Sequence, residues 1–280
     1  MQYGISMFPT DYSITPAELG AAMEARGFES YWAPEHSHIP VSRKSPWPGG
    51  PELPKAYYDV MDPFVALATM SAVTKKLKLA TGICLVVQRD PIQTAKEICT
   101  LDTLSGGRFL FGVGAGWNAE EMADHGTKFS ERMEVMRERI EAIKLICSKS
   151  KPEYHGKHVN FEPFMTWPKT VQKPHPPVIV GGGYPHGARR AAEYGDGWMP
   201  IQGRDDVVAS IPKFRQMLAE RDRDPDSVEI SVFGVAADAE KIKPFVDAGV
   251  KRVVFGLPSE DAAANIARLD KMAEVMQKIR

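Results

Sequence analysis

Glu35 and His36 are neighbours in the segment WAPEHSHIP (32–40), at the end of a short apolar run that predicts a strand. An imidazole titrates near neutral pH, so His36 could donate or accept a proton at a reducible centre, with the carboxyl group of Glu35 beside it. A single histidine is more often structural, and both interpretations stay open on these residues alone. His36 and His38 have no third ligand nearby, so the sequence predicts no metal site.

Three glycines, Gly181, Gly182 and Gly183, follow a predicted strand and precede a predicted helix in the segment IVGGGYPHGARRAAEYG. Free backbone N–H groups at the start of a helix form an anion site, so the triplet predicts phosphate binding. The alternative is a flexible turn, but three glycines cost considerable conformational entropy for a turn alone.

A second glycine-rich segment, RFLFGVGAGWNAEE (108–121), has the outline of a nucleotide-binding turn. Trp117 occupies the place of the third glycine in a dinucleotide fingerprint, and the Gly-Lys-Ser/Thr ending of a P-loop is missing, so the segment is neither motif. Its glycines could serve only to form a tight turn. Gly82, inside an apolar strand, indicates a bulge or a close backbone approach to a ligand, or else a glycine needed for packing.

Short apolar runs alternate with amphipathic segments along the chain, and eight of the apolar runs predict strands. These are residues 3–8, 28–36, 77–87, 108–114, 176–183, 195–201, 228–234 and 250–258. Such strands indicate a parallel sheet, and eight of them close into a barrel of this chain length. An open doubly wound sheet would usually carry a glycine fingerprint after its first strand, where this chain has none. The predicted fold class is therefore α/β, a single (β/α)8 TIM-barrel domain over residues 1–280.

Two segments are longer than ordinary connections in such a fold: 37–61 after the second strand and about 151–176 before the fifth. The first follows the C-terminal end of a strand, where barrel enzymes keep their chemistry, and predicts a lid or a substrate wall. The second alternates like a short hairpin over residues 154–162.

The 35 basic and 36 acidic residues give a formal net charge of −1, which indicates neither a nucleic acid nor an anionic membrane as partner. Cys84, Cys99 and Cys147 lack metal-ligand or CxxC spacing and lie in apolar stretches, which is typical of reduced core thiols. The sequence has no signal-peptide pattern and no apolar run of membrane-spanning length. A soluble, cytoplasmic protein is expected.

Taken together, three segments resemble the luciferase-like superfamily of flavin and deazaflavin oxidoreductases, which are (β/α)8 barrels. The segments are APEHSHIP, KLKLATGICLVVQRDPIQTAKEICTLDTLSGGRFLFGVGAGWNAEE and GGGYPHGARRAAEYGDGWMP. The resemblance covers nearly the whole chain and is greatest to the branch that uses the deazaflavin coenzyme F420 rather than flavin mononucleotide (FMN). It implies coenzyme F420 as cofactor, FMN as the alternative, a small organic molecule as substrate, and a homodimer.

The resemblance also implies roles for particular residues. Gly82 and Ile83 match a bulge at the end of the third strand, often a non-prolyl cis peptide, which supports the tricyclic ring. Gly181, Gly182 and Gly183 match the phosphate loop. His36 matches a histidine that lies close to the reactive carbon of the ring.

Trp117 departs from the pattern of the sugar-phosphate dehydrogenase relatives, where a glutamate in its place donates a proton. An indole can stack on or border a ring and donate one hydrogen bond, but it cannot serve as an acid. Sugar-phosphate oxidation is therefore not expected, and Glu35 or His36 would supply an acid if one is needed. Glu121 matches a recurrent family acid, for which fixing the loop is a sufficient role.

The leading hypothesis is an oxidoreductase that moves hydride between the cofactor and an organic substrate, with Trp47 and Tyr57 of the lid shaping an apolar pocket. The first alternative is an FMN-dependent monooxygenase fed by a separate reductase. A second is a cofactor-binding protein without catalysis, and a third is a phosphosugar isomerase on the same barrel.

Overall fold

The computed structural model describes residues 1–279, which contain eight parallel strands closed into a barrel. The barrel strands are β1 (Gln2–Ser6), β2 (Ser30–Ala33), β3 (Lys78–Thr81), β4 (Phe109–Gly114), β5 (Val178–Gly181), β6 (Gly197–Met199), β7 (Glu229–Phe233) and β8 (Arg252–Gly256). Each strand pairs with its neighbours in chain order, β8 pairs with β1, and all the pairings are parallel. The predicted (β/α)8 TIM barrel is confirmed.

Helices cover the outside of the barrel and follow the strands along the chain. They are α1 (Pro16–Ala25), α2 (Ala56–Asp59), α3 (Pro63–Val73), α4 (Pro91–Leu104), α5 (Ala119–Asp124), α6 (Arg132–Ser148), α7 (His186–Tyr194), α8 (Val207–Ala219), α9 (Ala239–Asp247) and α10 (Ala262–Lys278). Many begin at a side-chain cap: Thr15 and Glu18 form a capping box at α1, and Asp62 and Asp90 cap α3 and α4.

The buried hydrophobic residues form two clusters. One lies inside the barrel, and the other lies between the strands and the helices. The inner cluster consists of Trp32, Ala80, Leu110, Ile179, Met199 and Val254, with Ile83 and Phe233 packed against it. The barrel is therefore a filled core rather than a pore, as expected for eight strands, and ligand space is left only at its ends.

Arg252 fills the N-terminal end of the barrel and is completely buried. Its guanidinium donates to both carboxylate oxygens of Glu29, at 2.7 and 2.8 Å, and to Ser231 Oγ at 2.8 Å. Burial alone would raise the pKa of Glu29, but the hydrogen bonds and charge of Arg252 outweigh it and lower the pKa to about 2. The end opposite the candidate site is thus closed by a paired charge.

The two predicted insertions are present. Segment 37–61 contains only the short helix α2, and the later insertion forms an antiparallel hairpin between Tyr154–His155 and Asn160–Phe161, as predicted. The three cysteines are free and buried, which confirms them as core thiols. Within residues 1–279, no helix has the length and apolar character needed to cross a membrane.

Candidate active site

A cavity of about 320 Å³ opens at the C-terminal end of the barrel. Its lining comes from the residues that directly follow or end strands β2 to β7, together with Phe8, segment 37–61 and the helices α6 and α7. Most of the predicted site residues lie together in this lining: Glu35, His36, Gly82, Ile83, Trp117, Gly181 and Gly182. Gly183, which follows Gly182, is not among the lining residues. The position agrees with the end at which barrel enzymes keep their active sites.

Gly82 and Ile83 form the floor of the cavity, and the peptide bond between them is cis. The Gly82 N–H donates to the Ala33 carbonyl at 2.7 Å, which ties the bulge to the exit of β2. A Cβ at Gly114 would lie 2.0 Å from Ile83 Cδ1, and one at Gly181 would lie 3.2 Å from Ile83 Cγ2. These two glycines therefore leave room for the Ile83 side chain, and a short strand at Cys84–Leu85 then resumes pairing with β4.

His36 is held by a buried carboxylate. Its Nδ1 lies 2.8 Å from Glu121 Oε2, and Glu121 Oε1 accepts the Ser37 N–H at 3.1 Å. The side chain of Glu121 is fully buried and that of His36 is 6% exposed. A carboxylate accepts from Nδ1–H and so fixes the tautomer, which leaves Nε2 as the ring nitrogen available to a ligand in the cavity. Glu121 thus holds the start of segment 37–61 and orients His36.

Glu35 lies beside His36 in sequence but is engaged elsewhere. Its carboxylate accepts the Leu85 N–H at 2.6 Å and the Arg89 Nε–H at 2.5 Å, and Arg89 also contacts Asp62 and Glu97. Burial alone would lower the pKa of Arg89, but the charges of Glu35 and Asp62 outweigh it and raise that pKa. Glu35 is therefore paired with a permanent cation, an arrangement that favours positioning of the β3 exit over proton donation.

One end of the cavity is aromatic. Tyr57 of segment 37–61 packs against Phe8, Trp47 and His36, with ring centroids 4.5, 5.4 and 5.3 Å apart. Trp117 lies edge-on to His36 at 5.7 Å. The wall contains no charged side chain, so it can hold an apolar body while His36 supplies a polar contact.

The other end of the cavity is basic. Arg190 and Arg204 line it, and neither side chain has a hydrogen bond or an ion pair within residues 1–279. Arg190 Nη2 lies 3.3 Å from the position of a Cβ at Gly182, whose φ is +124°. Burial lowers the pKa of Arg132, and the charge of Arg190 lowers it further. Unpaired guanidinium groups beside a glycine turn are suited to a phosphate.

The glycine triplet itself makes close contacts. A Cβ at Gly183 would lie 1.9 Å from Asp205 Oδ2, which accepts the Tyr184 N–H at 3.1 Å. Gly187 lies directly over Gly182, since a Cβ there would lie 2.2 Å from the Gly182 carbonyl oxygen. The turn therefore packs tightly onto the start of α7. The Gly182 N–H donates to the Met199 carbonyl at 3.2 Å, and the phosphate loop stays a prediction.

Sequence reasoning missed Arg190 and Arg204 as lining residues. Arg190 follows the glycine triplet within one to two turns of α7, so its position was available as a signal, whereas Arg204 lies in the loop after β6 and carried none. No group of three or more His, Cys, Asp or Glu side chains in the described chain is arranged to hold a metal ion.

Comparisons with known proteins agree with this architecture. The family model of the luciferase-like monooxygenases matches residues 15–243. An uncharacterized protein of Mycobacterium tuberculosis is 39% identical over 278 residues, covering 96% of this chain and 97% of that protein.

Two solved structures have a similar fold at low identity. The coenzyme F420-dependent tetrahydromethanopterin reductase of Methanopyrus kandleri matches with a TM-score of 0.78 at 19% identity, covering 100% of this chain and 99% of that chain. A monooxygenase of Streptomyces bottropensis matches with a TM-score of 0.76 at 20% identity, covering 99% of both chains. With the family model matched over most of its length, the chain belongs to the luciferase-like monooxygenase family of oxidoreductases.

Proposed function

We propose that the protein transfers hydride between coenzyme F420 and a small, uncharged organic substrate with an apolar body. The observation that carries this proposal is the two-ended cavity. It has unpaired arginines and a glycine turn at one end, aromatic rings at the other, and one oriented histidine near the aromatic end.

The residues present fit a tricyclic cofactor that carries a phosphate. Gly182, Gly183, Arg190 and Arg204 would hold the phosphate, and Gly82, Ile83 and His36 would contact the ring. When bound, a deazaflavin supplies the hydride chemistry, and the protein supplies binding, orientation and protonation.

His36 is assigned the handling of the proton. In the oxidation of an alcohol, Nε2 would accept the hydroxyl proton as hydride leaves the carbinol carbon; in the reverse direction it would return that proton to the oxygen. Glu121 holds the imidazole in place and stabilises it when it is protonated. Glu35 is assigned a positioning role, because Arg89 and the Leu85 N–H already occupy its carboxylate.

The aromatic wall supports an apolar substrate. Phe8, Trp47, Tyr57 and Trp117 offer no cation to a second phosphate, and the arginines lie at the end assigned to the cofactor. The wall would also exclude water from the reacting atoms. Together with Trp117 in place of an acid, these contacts disfavour sugar phosphates as substrates.

The decisive experiment is titration of the purified protein with coenzyme F420 and, separately, with FMN, followed by ligand fluorescence. We expect F420 to bind and Arg190→Ala to weaken its binding by about tenfold or more, because a charge-assisted contact is lost. Arg189→Ala is the matched control, since Arg189 is exposed on the same helix and makes no side-chain contact in residues 1–279.

The outcomes separate the alternatives. Binding of FMN alone would replace the cofactor and favour the monooxygenase hypothesis. Binding of neither ligand would contradict cofactor-dependent hydride transfer. Tight F420 binding without turnover over a panel of alcohols and ketones, unaffected by His36→Ala, would instead support a cofactor-binding protein without catalysis.

A further inference from the structure

Ser45, in the middle of segment 37–61, makes a cluster of contacts with the first turn of α5. Its N–H donates to Glu120 Oε1 at 3.0 Å, and its hydroxyl donates to Glu120 Oε2. The same hydroxyl accepts the Ala119 N–H at 3.0 Å. Ser42 Oγ adds a longer contact to Glu120 Oε1, at 3.3 Å. The carboxylate of Glu120 thus binds two residues in the middle of segment 37–61, Ser42 and Ser45.

Little else fixes this part of the segment. Val41 is 97% exposed, and the side chains of Arg43 and Lys44 make no hydrogen bond or ion pair within the described chain. Trp47 follows Ser45 by two residues and packs on Tyr57 in the aromatic wall of the cavity. Within the aromatic wall, Trp47 is therefore the residue whose position the contacts at Ser45 affect most directly.

The same short helix also holds His36. Glu120 contacts Ser45, and the next residue, Glu121, contacts both His36 Nδ1 and the Ser37 N–H. At the other end of α5, Asp124 contacts His38 Nε2 at 2.9 Å. Neighbouring residues of one short helix thus connect the cavity wall to the group assigned to proton transfer.

We propose that Ser45 and Glu120 form a latch that holds segment 37–61 closed over the cavity, and that α5 links the closed position to the placement of His36. Both are positioning residues. The effect of the latch on catalysis rests on the proposed function, but the existence of the latch does not. Substrate entry would require the latch to open, and its closure would complete the aromatic wall beside His36.

The hydroxyl of Ser45 is the largest influence on the carboxyl group of Glu120, and it lowers the pKa of that group to about 2. Glu120 therefore remains an ionised acceptor at neutral pH, and its contacts with Ser45 are of the stronger, charge-assisted kind.

Limited trypsin digestion tests the latch without any cofactor, since Arg43 and Lys44 directly precede Ser45. Cleavage of a briefly opened segment follows the open population when closing is fast. We expect Ser45→Ala and Glu120→Ala each to raise the cleavage rate after Lys44 by about tenfold. Glu52→Ala, which removes an exposed and uncontacted carboxylate from the same segment, should leave that rate unchanged.

The double variant Ser45→Ala/Glu120→Ala decides whether the two residues act as one unit. A latch predicts that the increase in the double variant is smaller than the product of the two single increases, and Ser45→Thr should restore protection by keeping the hydroxyl. Additive effects, or cleavage in both single variants that matches Glu52→Ala, would overturn the latch. Ser45→Ala keeps the amino-acid sequence of α5, so its result does not depend on how Glu120→Ala folds.

Hydrogen exchange followed by mass spectrometry tests the link to His36. The Ser37 N–H is held by Glu121, so the peptide spanning residues 35–39 should exchange several times faster in Ser45→Ala than in the unsubstituted chain. If protection falls only within residues 42–52, the segment opens without moving the histidine and the link is wrong. Failure of F420 binding would leave both readouts intact.

Discussion

At the scale of single residues, the type and position of His36 were enough to predict it as a site residue. The residues that contact it could not be predicted from the sequence. Glu121 lies 85 positions further along the chain, and no spacing rule joins the two residues; only closure of the barrel brings them to 2.8 Å. Glu35 was predicted from adjacency to His36, yet successive residues at a strand end point in different directions, and Glu35 faces Arg89. Arg204 carries no local pattern that marks it as a binding residue, whereas Arg190 could have been found from its position behind the glycine triplet.

Substitution of Glu121 tests the orientation of His36. Glu121→Gln keeps the shape of the side chain but removes the carboxylate that fixes the imidazole, so we expect turnover to fall by about 10- to 100-fold. Steady-state rates of F420 reduction with an accepted alcohol measure it, and the affinity for F420 should change little. Glu153→Gln, at an exposed carboxylate without a partner in residues 1–279, is the control. Equal rates in both variants would contradict the assigned role.

At the scale of elements, the long strands and helices were predictable because their apolar patterns and caps are local. The prediction for β3 ran on to residue 87, but the strand ends at Thr81, where the Gly82–Ile83 bulge interrupts it. The helices α2 and α5 were not predicted as separate elements. They span four and six residues, too few for a periodic pattern, and α5 depends on the Asn118 cap and on its contacts with segment 37–61.

Gly112 in β4 tests how closely the elements must approach. Thr81 Oγ1 donates to the Gly112 carbonyl at 2.7 Å, and a Cβ at position 112 would lie 1.9 Å from the Thr81 carbonyl oxygen. Because that neighbour is backbone, Gly112→Ala should force β3 and β4 apart and lower the free energy of unfolding by about 3 kcal/mol. Thermal unfolding measures the loss. Gly256→Ala, where a Cβ would meet nothing within 4 Å, should be tolerated; equal losses would refute this explanation.

At the scale of the whole molecule, the count of eight strand–helix units was enough to predict a closed barrel, because parallel pairing and chain length leave few alternatives. The sequence could not predict the division of the cavity into a basic and an aromatic end, since that depends on which loops meet above the barrel. The homodimer implied by the resemblance stays a prediction. The opposite end of the barrel contributes to stability. That contribution depends on pH through the buried pair of Arg252 and Glu29.

Acid sensitivity should arise in part from this buried pair. The pKa of Glu29 is lowered from 4.5 to about 2, so its contribution to stability is complete above pH 4.5 and is lost as the pH falls towards 2. Glu29→Gln should lower the free energy of unfolding at pH 7 by about 3 kcal/mol, because Arg252 stays buried without its partner. Denaturant unfolding between pH 7 and pH 3 should then show a flatter pH dependence in the variant.

Glu260→Gln provides the comparison, since Glu260 pairs with Arg268 on the surface, where both side chains are more than a third exposed. An exposed pair contributes less than about 1 kcal/mol, so this variant should keep both the stability and the acid sensitivity of the unsubstituted chain. An unchanged slope in Glu29→Gln would show that other carboxylates govern the acid response. Suppose that Glu260→Gln and Glu29→Gln lowered the free energy of unfolding equally. Burial would then not explain the contribution of the Glu29–Arg252 pair to stability.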